Sequence, residues 1–78
     1  MLDLADARWR KATDIEREFS LFELVTDLGP VLDVGYSNSG LFEVSFNITS
    51  GGLIVDWDAL KSIIEEGRLL ADEERALA

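Results

Sequence analysis

An α+β fold is predicted by three features of this 78-residue sequence: helical apolar spacing in the first third, a switch to two-residue alternation in the middle, and a capped helical pattern at the carboxy end. A chain of this length has room for one core, so residues 1–78 read as a single small domain. The expected order is an N-terminal helix or helix pair, a three-stranded antiparallel β-meander and a C-terminal helix, α-β-β-β-α.

Residues 3–28 carry the helical spacing. Trp9, Ala12, Ile15, Phe19 and Phe22 recur three and four positions apart, which places them on one stripe of a helix. Thr13-Asp14-Ile15-Glu16 and Ser20-Leu21-Phe22-Glu23 both match a capping box, so the helix is either bent or split near Ser20. Gly29-Pro30 ends it, since glycine accepts a left-handed cap and proline cannot continue a helix. Val31 to Tyr36 then forms a first strand, and Tyr36-Ser37-Asn38-Ser39-Gly40 has turn chemistry. Phe42, Val44, Phe46 and Ile48 alternate with Glu43, Ser45 and Asn47, giving a second strand with one apolar face and a buried Phe46. Thr49-Ser50-Gly51-Gly52 turns the chain into a short third strand, Leu53-Ile54-Val55. Asp56 or Asp58 caps the last helix, which buries Trp57, Leu60, Ile63, Ile64, Leu70 and Leu77. Gly67 either stops that helix early or admits a close neighbour at its middle.

Composition removes several chemistries. With no cysteine there is no disulfide or thiolate metal site, and with no histidine the commonest neutral-pH acid–base group is missing. The lack of cysteine fits a reducing, cytoplasmic location. Acids occupy the amino end where a signal peptide carries its basic region, and no apolar run approaches a membrane span. Sixteen acids against seven bases give a net charge of −9, which opposes direct nucleic-acid binding and attachment to anionic membranes.

The local constellations have structural explanations. Asp56-Trp57-Asp58 lacks the ligand spacing of a calcium loop, and capping accounts for both acids. Glu65-Glu66 and Asp72-Glu73-Glu74 read as solvated helix faces, and the serines have no histidine to activate them. Gly51-Gly52 lacks the spacing and lysine of a phosphate loop, and Asn47-Ile48-Thr49 matches a glycosylation acceptor only by coincidence, lying within a strand. No cofactor, metal or enzymatic activity is expected.

Charge distribution points instead to binding. No lysine or arginine occurs between Glu18 and Leu60, a stretch that holds Glu18, Glu23, Asp27, Asp33, Glu43, Asp56 and Asp58. Such a field steers a basic protein partner, with Glu43, Asp56, Asp58 and Asp33 as the expected electrostatic contacts. The crowded apolar residues around Leu21, Phe22 and Val25 supply the alternative, a homodimeric assembly module or an apolar partner patch. A carboxylate enzyme without a visible motif is a third reading. In size and charge, though in no motif, the chain resembles the small acidic inhibitors of bacteria and their phages: nucleic-acid mimics, anti-CRISPR proteins and immunity proteins. That resemblance implies an inhibitor occluding a basic surface of the nucleic-acid-binding type.

Overall fold

A computed structural model of the chain describes residues 1–47 and 51–77. Four strands, β1 (Arg8–Ala12), β2 (Leu21–Thr26), β3 (Gly29–Tyr36) and β4 (Phe42–Phe46), precede one helix, α1 (Trp57–Leu77). The strands form an antiparallel sheet in the order β1-β2-β3-β4. The class is α+β, but the N-terminal helix is replaced by a hairpin and the meander has four strands.

The helical spacing of the first third is dispersed by this arrangement. Trp9 and Phe22 face the core from neighbouring strands, while Ile15 stands fully exposed in the β1–β2 loop. The first capping pattern is a turn: the Asp14 side chain accepts the Glu16 N–H at 3.0 Å, and its carbonyl accepts the Arg17 N–H at 3.0 Å. Short polar side chains make these local bonds whether a helix or a turn follows, so the motif alone does not choose. The second pattern gives way to β2, where Leu21 to Thr26 pairs on both sides. Gly29 likewise closes a hairpin rather than a helix. Its φ is 89°, and Thr26 Oγ1 accepts the Leu28 N–H at 3.1 Å across the turn. Pro30 stands near the start of β3 beside a bulge, where Leu24 pairs with Leu32 and Val25 with Pro30 and Val31 is left without a partner on β2, a position at which proline is tolerated.

Leu53-Ile54-Val55 is not a strand of the sheet. Val55 makes a single parallel bridge to Leu2, whose N–H donates to the Ile54 carbonyl at 2.7 Å. The expected apolar position at Ile48 and the turn residues Thr49 and Ser50 lie outside the described residues. Asp56 is the N-cap: its carboxylate accepts the Ala59 N–H at 2.9 Å, and its carbonyl accepts the Leu60 N–H at 2.9 Å.

Residues paired directly across an antiparallel ladder share a face. Trp9↔Leu24↔Leu32↔Phe46 and Lys11↔Phe22↔Val34↔Val44 therefore lie on one side of the sheet, and α1 covers that side. Leu24 and Val34 are fully buried at its centre. The helix approaches closely because Gly67 has no side chain; a Cβ there would lie 2.6 Å from Trp9 Cζ2 and 3.0 Å from Val34 Cγ2. Of the two roles open to this glycine, close packing is the one it serves, and α1 continues to Leu77. The flanks are tied by polar contacts. Lys11 Nζ meets Glu74 at 2.8 Å, Tyr36 donates its hydroxyl proton to Asp72, and the Arg75 guanidinium lies 3.9 Å from the Tyr36 ring centroid. Hydrogen bonds from Lys11 and Ser20, with the lysine charge, hold the Glu74 carboxyl below the usual range.

Several expected core positions are corrected. Phe46 is 57 % exposed: its alternation with Phe42 and Val44 is as expected, but it ends an edge strand beyond the cover of α1. Trp57 and Leu77, at the two ends of the helix, are exposed for the same reason. Leu60, Ile63 and Leu70 do pack on the core.

Gly67→Ala should lower stability despite its better helix propensity. An inserted methyl that forces a packed core to move costs about 1–3 kcal/mol, against a propensity gain of about 1 kcal/mol. The expected melting temperature is several degrees below the parent, as about 4–8 °C accompanies each kcal/mol in domains of about this size. Phe46→Ala, measured in dilute solution, should cost less than the roughly 3–5 kcal/mol of a buried phenylalanine.

Candidate functional site: an acidic sheet face

Strand alternation sends Arg10, Glu23, Asp33, Glu43 and Ser45 to the side of the sheet opposite α1. Glu23 is directly across from Asp33, and Asp33 from Ser45. One further charge arrives from the β1–β2 loop. Arg17 donates from NH2 to the Tyr36 carbonyl at 2.9 Å and meets Glu43 at 3.5 Å. Gly35 lets the Leu21 side chain lie against β3, since a Cβ there would fall 2.7 Å from Leu21 Cδ2, whereas Arg17 NH2, 3.6 Å from that position, would be in ordinary contact. The loop itself is anchored by Asn38, which accepts the Glu18 N–H at 2.8 Å and donates to the Glu16 carbonyl at 3.0 Å. The result is a shallow groove of about 340 Å³ lined by Arg17, Leu21, Asp33, Glu43, Val44 and Ser45.

Electrostatics single out Asp33. Partial burial raises its pKa above the usual aspartate value, the facing Glu23 carboxylate raises it further, and Arg17 opposes both. Its acidic neighbours are compensated: Arg10 reaches Glu23 at 2.5 Å and Arg17 reaches Glu43. Asp33 has no salt bridge among the described residues.

The fold thus brings together two of the four expected electrostatic contacts, Asp33 and Glu43. Asp56 and Asp58 lie apart from them, at the start of α1 on the other side of the sheet; Asp56 is engaged as the cap, and Asp58 stands 3.9 Å from Lys61. The expected apolar patch is largely consumed by folding, with Phe22 and Val25 buried and Leu21 half-buried beside Gly35. The stretch without bases in sequence is not without bases in space, because Arg10 and Arg17 fold back over it. Glu23, Arg10 and Arg17 are not among the contacts expected from the sequence, where Glu23 reads as part of a capping box and the two arginines fall within the span of helical spacing. Only the strand pairing brings them to Asp33. No group of three or more acids positioned to hold a metal ion occurs among the described residues, and none of the helices there is long and apolar enough to cross a membrane.

The raised pKa has a definite sign. The folded state resists ionising Asp33, so its charge weakens the fold at neutral pH, and that penalty fades as pH falls through the folded pKa. Asp33→Asn should therefore melt higher than the parent at pH 7. The advantage should shrink on acidification and vanish below the unfolded aspartate pKa of about 3.9, as thermal melts across that range would record.

No protein-family model matches the sequence, and neither a curated protein nor a solved structure matches it.

Proposed function

We propose that the chain is a non-enzymatic, acidic protein-binding module that occludes a basic surface on a partner protein, with the uncovered sheet face as its docking face. The observation that carries this reading is Asp33. A carboxylate whose ionised form the fold disfavours, set opposite a second acid on an uncovered face, is a stability cost that a guanidinium or ammonium from a partner would remove. Arg10 and Arg17 restrain the acids on either side and leave the central one for that contact. The net charge of −9 supplies a long-range field of the matching sign. A surface that binds nucleic acid would meet these requirements, which is the inhibitor reading in its most specific form.

Two observations favour binding over the alternatives. The groove at Asp33 is shallow, whereas paired-carboxylate chemistry works in a site that excludes water. An assembly module built on Leu21, Phe22 and Val25 would find Phe22 in the core and Val25 buried, leaving the half-buried Leu21 alone of the three at the surface.

The test compares charge removal on the two sides of the sheet. Glu43→Lys combined with Asp33→Asn should slow association with a partner captured from the native host, and raised salt should do the same as the screening length falls from about 10 Å at 0.1 M to about 3 Å at 1 M. Asp58→Lys should leave the rate within about two-fold of the parent, since that residue lies with the helix layer. Surface plasmon resonance on variants confirmed folded by circular dichroism provides the rates. Equal slowing by both changes would move the docking face elsewhere, and no slowing by either would remove the electrostatic reading.

A further inference from the structure

We infer that the open edge of β4 pairs with the same edge of a second copy, antiparallel about a two-fold axis through Val44, joining two sheets into one of eight strands. The inference concerns an edge rather than the acidic face, and stands independently of the proposed function.

The sheet order leaves β4 with a neighbour on one side only. Its hydrogen-bond phase shows which groups point outward. The Asn47 N–H donates to the Val31 carbonyl at 2.9 Å, and the Ser37 N–H donates to the Leu41 carbonyl at 2.8 Å. With Asp33↔Ser45 and Gly35↔Glu43 in register between them, the odd-numbered residues of this segment turn their backbone toward β3. Phe42, Val44 and Phe46 therefore aim N–H and C=O away from the sheet, and no other backbone bond engages them among the described residues.

The sequence of this edge suits its own antiparallel copy. Phe42-Glu43-Val44-Ser45-Phe46 is symmetric about Val44 in the placing of its apolar residues. A two-fold axis there sets Val44 against Val44 and each Phe42 against Phe46 of the second copy. All three pairs are between outward-pointing residues, so each exchanges two backbone hydrogen bonds. The side chains of these pairs fall on the helix side, where Phe46 is 57 % exposed and gains an aromatic neighbour. On the opposite face each Glu43 meets a Ser45. A register centred on Glu43 would instead oppose two carboxylates in a close, non-hydrogen-bonded pair and leave Phe46 unmatched.

The other edge shows the contrast. β1 carries Arg8, Arg10 and Lys11 in five residues, a charged edge of the kind that discourages strand addition. β4 carries one charge, Glu43, which its own Arg17 already pairs. The contact is isologous, so it closes at two copies and leaves the two β1 edges outermost.

Sedimentation equilibrium from about 1 to 300 µM at about 0.15 M salt, where screening limits repulsion between the acidic copies, should show a reversible monomer–dimer equilibrium. Ser45→Lys should tighten the dimer and Ser45→Glu should weaken it, each by about 2- to 30-fold, because residue 45 of each copy faces Glu43 of the other. Melting curves in dilute solution separate any effect on the fold, as Ser45 also faces Asp33 within the chain. If Ser45→Glu fails to fold, Ser45→Lys and amide exchange decide: the N–H groups of Phe42, Val44 and Phe46 should exchange more slowly as concentration rises. A monomer throughout this range would overturn the inference. So would a dimer that the folded Ser45 variants do not shift in the stated directions, or one in which those three amides gain no protection.

Discussion

Between β1 and α1 the six-membered ring of Trp9 lies where a side chain at position 67 would begin, a Cβ there falling 2.6 and 2.7 Å from two of its carbons. Gly67 thus lets a 21-residue helix settle directly on the sheet, with the indole on one side of the contact and Val34 beside it. The arrangement carries costs. Glycine inside a helix forfeits about 1 kcal/mol relative to alanine, and the Trp9 indole N–H is buried without an acceptor among the described residues. Apolar area offsets both, since a buried aromatic removes about 150–250 Å² from water. Once the helix axis is fixed by this contact, Lys11 and Glu74 meet on one flank and Tyr36, Asp72 and Arg75 on the other.

A single helix covers a single face, and the properties of the other face follow from that. Strand alternation delivers its polar residues to the uncovered side, where Glu23 and Asp33 are neighbours because β2 and β3 are. Arginines from β1 and from the anchored loop restrain the outer acids, and the central carboxylate is left with a raised pKa. The same shortage of cover explains Phe46. One helix does not reach the end of an edge strand, so an aromatic that alternates correctly with the core stays half in water.

Where the structure departs from the local sequence patterns, competing structures use the same local chemistry. Asp14 caps a turn with the bonds it would have made at a helix start. Gly29 supplies a positive φ to a hairpin as readily as to a helix cap. Arg8 to Ala12 has no two-residue apolar alternation, because at an edge strand only Trp9 reaches the helix deeply while Lys11 extends to a carboxylate. Phe22, Leu24 and Val25 crowd one stretch because β2 is interior to the sheet, and the bulge on β3 leaves the adjacent Val31 and Leu32 both buried.

The mixed class, the hairpin between β3 and β4, a cap at Asp56 or Asp58, the final helix and the acidity of the whole follow from the sequence alone, since each depends on residues a few positions apart; that Asp56 holds the cap is decided in the folded chain. Tertiary structure alone decided that Trp9 meets Gly67 fifty-eight positions away, that Arg17 crosses to Glu43, and that Asp33 faces Glu23. It also decided that residues 8–12 and 21–26 pair as strands rather than coil as a helix. Their apolar spacing is compatible with either period. A β-strand obtains its hydrogen bonds from a neighbouring strand, so the choice rests on a partner that local periodicity cannot identify.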